Sequence, residues 1–341
     1  MPSVIESFDI RERAEAVERT SLSTWAALSG ESKGRDRYED PDPIRTAFQQ
    51  DRDRLLHADV FLRLAGTTQS FVPAEPTAQV LDVVPPWRSR LAHSLATSQL
   101  ARTIARALRL NEDLAEAVAL GQSVGAPPFG VAGEHALAEV ATAGFDVGEQ
   151  SLRVVERLVR DGRGLNLTWE VRDGLLHQTW PRSHAATHEG QVAALSTWVA
   201  GSLHDLTGAL RGELVHLDDV PAEVRTGLGA GHGTRVAAVV TSAVQASAER
   251  PEIALTPPVE AALGTLEAFL DERVHGRPEA RAEAGRAAHC LQSLAIEGAT
   301  NPESLPGRDG DVTEQRVLDH LCRLTDREAR SAFTERFLPR G

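Results

Sequence analysis

The stretch 119–135, ALGQSVGAPPFGVAGEH, ends an alanine-rich helical run, breaks on Gly125, Pro127, Pro128 and Gly130, and restarts after Gly133. The polar side chains it offers are Gln122 and Ser123 before the break and Glu134 and His135 after it. Other groups could do chemistry elsewhere. Arg63, Arg88 and Arg90, with Gln69 near them, could bind phosphate by charge-assisted, often bidentate bonds without any metal. Equally, Arg88 and Arg90 could pair with acidic neighbours such as Asp82. His93 lies on an otherwise apolar helix face, where a core histidine is the plainer reading. His184 and His188 have i, i+4 spacing suited to a metal on a helix, but Pro181 and polar neighbours argue for a loop. Glu134 after Gly133 suits the positive end of a helix dipole as well as it suits proton transfer.

The elements that position these groups are helical. Aromatics are only 4% of the 341 residues, so the core must be built from Ala, Leu and Val, which favours helices over sheets. Leu91, Leu95, Leu100, Ile104, Leu108, Leu114 and Val118 recur mostly at threes and fours, and Asn111 before Glu112 and Asp113 reads as a cap splitting that run in two. Further helices are expected over 7–28, from Pro43 through Phe61, and over 134–141, 148–160, 167–178, 190–211, 235–248, 257–274, 279–297 and 312–337. A short alternating piece at 78–84 suits a β-hairpin. The expected organisation is an N-terminal helix and exposed linker over 1–43, a helical core over 44–250 and a C-terminal helical region over 251–341.

A net charge of −13 and the lack of any polybasic run argue against nucleic acid or an anionic membrane surface as partner. The N-terminus is polar, and no apolar run reaches the roughly 18 residues of a membrane span, so a cytoplasmic protein is expected. Cys290 and Cys322 have no CxxC spacing and read as two buried reduced thiols.

Taken together, several segments resemble the bacterial deoxyguanosinetriphosphate triphosphohydrolase-like proteins of the HD superfamily. They include RTAFQQDRDRLLH (45–57), RSRLAHSL (88–95), PPFG (127–130), GLNLTWEVRDGLL (164–176), HDL (204–206) and LTDREA (324–329). Order and spacing agree from about residue 10 to the C-terminus. The resemblance implies an all-α HD-type helical body and hydrolysis of a deoxynucleoside triphosphate to deoxynucleoside and triphosphate. It also implies a divalent metal held by a His, a His-Asp pair and a distant Asp.

Carried over residue by residue, the first His matches His93. The His-Asp pair falls on Gln122 and Ser123, and the distant Asp on Thr197. Family histidines fall on Ala126 and Val131, and a His-Asn pair on Val147 and Gly148. Leu62, Thr67, His177 and Gln178 stand where the family has charged or proton-carrying groups. One imidazole and three neutral oxygens match a hard divalent cation poorly. The expectation is therefore a member without the family's metal and without a confident catalytic residue. Arg63, Gln69, Arg88, Arg90 and His93 would remain as a candidate binding set for a deoxynucleotide or another anionic small molecule. By resemblance it would be a regulatory or oligomer-partner paralogue, assembling with itself or with an active relative. The alternative is a hydrolase with a rebuilt site in which His93, His177, His184 or Glu134 moves protons. His204-Asp205 matches a different family segment from the metal pair and reads as a decoy. Apolar filling of the site by Val131, Val147 and Trp198 would favour the first reading.

Overall fold

A computed structural model describes residues 10–69, 87–181, 183–305 and 311–339. Among them are fifteen α-helices: α1 (Ile10–Ser21), α2 (Ala47–Leu56), α3 (Asp59–Arg63), α4 (Arg90–Ala107), α5 (Glu112–Gly121), α6 (Gly130–Val140), α7 (Val147–Arg153), α8 (Trp169–Leu176), α9 (His188–Arg211), α10 (Ala222–Gly227), α11 (His232–Ser247), α12 (Pro257–Leu270), α13 (Pro278–Thr300), α14 (Thr313–Leu321) and α15 (Asp326–Phe337). The described residues hold two isolated antiparallel bridges, Arg35 with Thr168 and Thr68 with Ser89, and no strand. The all-α expectation holds, and the hairpin expected at 78–84 lies outside the described residues. None of the helices is long and apolar enough to cross a membrane.

Helix α5 is the centre. Leu114, Ala115, Ala117, Val118, Ala119, Leu120 and Gly121 are all buried, so it is apolar on every side, as a helix must be when others surround it. Helices α2, α4, α8 and α9 pack around it. Asn111 caps α5 as the sequence suggests, its side chain accepting from Leu114 N at 3.3 Å. The helix expected from Pro43 instead begins at Ala47, because Thr46 and Gln49 form a capping box there. Ile44 is left outside it and exposed.

The large core continues through α9 to α10, α11 and α12, with Val224, Val239, Leu263, Leu266 and Leu270. A second core joins α6 to α13, α14 and α15 through Leu137, Leu291, Leu294, Val317 and Leu321. Within 251–341, α12 packs in the large core, and α13 to α15 pack with α6 from mid-chain. Cys290 and Cys322 are buried free thiols of this second core. The segment expected as an exposed linker is exposed over most of its length and is anchored at Arg35. Asp51 is fully buried, accepts from Thr168 N (2.8 Å) and Oγ1 (2.6 Å), and takes its countercharge from Arg35. Arg35 also donates to the Asn166 carbonyl at 2.7 Å. A buried carboxylate needs such a partner, and 30–43 supplies it.

Glu189, in the first turn of α9, fastens the N-terminal region to α5. Its Oε1 accepts from Ala27 N (3.0 Å) and Asn111 N (2.8 Å), and the residue is fully buried. Burial pushes its carboxyl from the ordinary 4.5 up to about 7. The folded state therefore holds a proton that the unfolded chain releases, so this contribution is full at low pH and fades as pH rises to about 7, by about 3 kcal/mol. Glu189→Gln should remove that dependence. The variant's melting temperature should rise relative to the wild type between pH 5 and pH 8, and a difference that stays constant with pH would contradict the assignment.

Candidate functional site

The chain leaves α5 at Gly121 and makes a buried turn through Gln122, Ser123 and Val124 to Gly125. Its polar groups cannot reach water, so each needs a protein partner. Ser151 of α7 serves two of them: its hydroxyl donates to the Gln122 carbonyl at 3.0 Å and accepts from Gly125 N at 3.0 Å. A side chain on Gly125 would stand 2.2 Å from Ser151 N, so only glycine allows α7 this close. With its amide oriented to satisfy both ends, Gln178 Nε2 donates to the same Gln122 carbonyl (3.0 Å) and its Oε1 accepts from Gly148 N (2.9 Å). The Gln122 side chain turns to α9, where Thr197 Oγ1 donates to its Oε1. Gln122 and Thr197, expected at metal-ligand positions, are therefore brought together and bonded to each other. Gln122 Nε2 and the hydroxyls of Ser94 and Ser196 are buried without a partner.

His93 does not stand alone. Its Nδ1 lies 3.0 Å from His204 Nδ1, with the rings edge to face, and its Nε2 is 3.4 Å from Thr97 Oγ1. His204 stacks on His232 in turn. A bond between two Nδ1 atoms needs one proton, so two neutral rings here are of opposite tautomer. Burial, reinforced by the arginines nearby, pushes His93 down to about 3; burial and then His93 push His204 down to about 2. His204 and His232 are thus neighbours that sequence reasoning missed. A signal existed: His204 is seven residues beyond Thr197, two turns along one helix face. The adjacent Asp205 faces His275, 3.2 Å away.

The five residues of the candidate binding set separate. Arg63 pairs with Glu328 at 2.5 Å. Arg90 is 3% exposed and pairs with Glu134. Glu134 is accordingly not the N-terminal acid of a helix: α6 starts four residues earlier, at Gly130, and Glu134 sits in its second turn as the counterion of Arg90. Asp82 lies outside the described residues. Arg88 has no ion pair among the described residues, and burial with Arg211 nearby lowers its pKa. Gln69 N donates to the Arg88 carbonyl at 3.3 Å, and its side-chain oxygen is buried without a partner.

The other candidates lie apart. His177 Nδ1 is 3.1 Å from the Asp173 carboxylate. His184 is exposed in the loop before α9. His188 opens α9, packs on Trp25 and reaches the Arg250 carbonyl at 3.3 Å. Val131 is 39% exposed and does not fill the site, Val147 is half-buried, and Trp198 Nε1 donates to Glu267. Ala126 is buried. Among the described residues, no three His, Cys, Asp or Glu side chains are grouped to hold a metal. The donors at the matched positions are an imidazole engaged with a second imidazole and neutral oxygens engaged with each other. That set does not fit a hard divalent cation, which wants anionic oxygen.

The C-terminal helix α15 closes the site from outside. Asp326 accepts from Thr68 N (3.0 Å), Thr68 Oγ1 (2.6 Å) and Phe129 N (2.9 Å). Phe129 has φ +67°, a left-handed conformation costly for a side chain of that size, and this bond helps hold it. The loops 67–69 and 129–130, far apart in sequence, are so tied to one carboxylate.

No family model matches the chain. Full-length relatives do. A deoxyguanosinetriphosphate triphosphohydrolase-like protein of Caldanaerobacter subterraneus subsp. tengcongensis is 40% identical over 336 residues, covering 97% of this chain and 96% of the relative. Proteins with the same name from Desulfatibacillum aliphaticivorans and Clostridium perfringens are 37% and 33% identical, each over 97% of this chain and 98% of the relative. At this identity over nearly its whole length, the chain belongs to the family of deoxyguanosinetriphosphate triphosphohydrolase-like proteins.

Proposed function

We propose that this chain is a member of its family that no longer hydrolyses deoxynucleoside triphosphates through a metal, and that it acts as a regulatory or oligomer-partner paralogue. One observation carries the reading: Gln122 and Thr197 spend their side chains on each other. Neutral oxygens held against each other lack the charge to attract a hard divalent cation. The neutral His93–His204 pair points the same way, since each ring uses one nitrogen on the other. The site is read as a joint that fixes α5 against α7 and α9, in the place where relatives would carry out chemistry. Arg88, lacking an ion pair among the described residues, would be the cation left there for a deoxynucleotide or another anion.

The decisive experiment is elemental analysis of the purified chain together with a panel of dGTP and the other deoxynucleoside triphosphates in Mg²⁺, Mn²⁺ and Co²⁺. The expected result is substoichiometric metal and no triphosphate above a protein-free blank. Stoichiometric metal accompanied by release of triphosphate and deoxynucleoside would overturn the proposal. The joint itself can be tested by Thr197→Val. This substitution keeps the shape and leaves the buried Gln122 Oε1 unpaired, a loss of about 1–3 kcal/mol. It should lower the melting temperature by a few degrees whether or not divalent metal is added. A melting temperature unchanged by the substitution would mean that the bond carries no weight.

A further inference from the structure

Helices α4, α9 and α11 enclose a cavity of about 230 Å³ beside the paired imidazoles. Its wall is mostly apolar, with Leu100 of α4, Ala200 and Leu203 of α9 and Val236 of α11, and it carries two imidazoles, His204 and His232. No carboxylate lines it. We propose that this cavity takes the alkyl chain of a medium-length carboxylate, whose head group is held by the arginines around His232. The cavity is smaller than the roughly 300–1,000 Å³ of most small-molecule sites, so it suits a short run of methylenes rather than a ring system with polar substituents.

The charges at the His232 end decide the head group. Arg88 precedes α4, Arg211 ends α9, and Arg235 lies in the first turn of α11. None of the three has an ion pair among the described residues. Helical spacing brings two of them to one place. His232 Nδ1 is 3.3 Å from Thr207 Oγ1, and Arg211 stands one turn beyond Thr207 and two turns beyond His204, on the same face of α9. Arg235 follows His232 by three residues, on its own face of α11. The effect on His232 agrees: burial, then Arg88, Arg235 and Arg211, lower its pKa, and no acid opposes them.

Arg235 is the most telling of the three. It is 2% exposed, and its guanidinium donates to two carbonyls, Nε to Gly229 at 3.2 Å and Nη2 to Ala230 at 2.7 Å. A buried cation ordinarily has a carboxylate against it, and the described residues provide none. A ligand must therefore bring the negative charge, and the apolar wall requires that it also bring a hydrocarbon chain. A single charge costs less to bury than a phosphate dianion, and a neutral imidazole can donate one N–H to a carboxylate oxygen. The proposal does not depend on the fate of the metal-ligand positions, and its test uses neither metal nor nucleotide.

The test is calorimetric binding of butanoate, hexanoate and octanoate to the full chain in EDTA, with octanol and octyl phosphate as comparison ligands. Octanoate should bind at one per chain, with affinity rising by about fourfold for each added methylene. Octanol, which lacks the charge, should bind at least about tenfold more weakly. Ala96→Phe, which fills the cavity from α4, should weaken octanoate binding by about tenfold or more. Arg211→Ala, at an exposed position, should do the same by removing a head-group cation. Absence of octanoate binding, an affinity independent of chain length, or wild-type affinity in both folded variants overturns the proposal. Octanol or octyl phosphate binding as tightly as octanoate overturns the assignment of a carboxylate head group.

Discussion

The buried turn at the end of α5 is the constraint on which the rest of the structure depends. A helix that is apolar on every side can only end inside the protein if its last carbonyls and the next amides find partners there. Ser151 and Gln178 supply them for the main chain, and Thr197 engages the side chain of Gln122. These bonds fix α7, the segment after α8, and α9 to the same few atoms. Gly125 makes the arrangement feasible by letting the start of α7 come within contact distance. The same logic explains why a change of ligand type here would come as a set. A lone carboxylate left in this turn without a cation would be a buried, uncompensated charge, several kcal/mol in cost. Neutral groups at 122, 123 and 197 avoid that cost together.

A second layer of carboxylates holds the periphery onto this centre, and each acts through amides rather than metal. Glu189 receives the amides of Ala27 and Asn111, Glu170 receives Lys33 N at 2.8 Å, and Asp326 receives those of Thr68 and Phe129. Each joins segments distant in sequence. The second core of α6, α13, α14 and α15 matters to the site through this last contact: it delivers Asp326 to the loops at 67–69 and 129–130, and Glu328 to Arg63 of α3.

What was legible in the sequence follows from what local signals encode. The period of Leu and Val and the Asn111 cap place α4 and α5, because periodicity and capping are properties of short windows. The segments 164–176 and 324–329 tie the chain to its family, whose likeness extends over nearly the full length. Three things were not legible. The second core takes α6 from mid-chain, which no window around 251–341 reveals. Glu134 looks like a helix-start acid until Gly130, with φ +61° after the left-handed Phe129, is seen to start the helix earlier. The partner of His93 is on α9, 111 residues away, and its neighbour Asp205 draws attention to a dipeptide whose two side chains face different partners.

The distribution of arginines ties these points together. A phosphate site needs guanidinium groups that the protein has not already neutralised. In the region of the buried turn, Arg90 is taken by Glu134 and Arg63 by Glu328, both in close pairs that also brace α6 and α15. Arg88 is left without an ion pair among the described residues, beside imidazoles that burial keeps neutral. Arg153 pairs with both Asp311 and Asp319. Some exposed arginines elsewhere are paired, Arg45 with Asp42 and Asp53 and Arg106 with Glu112.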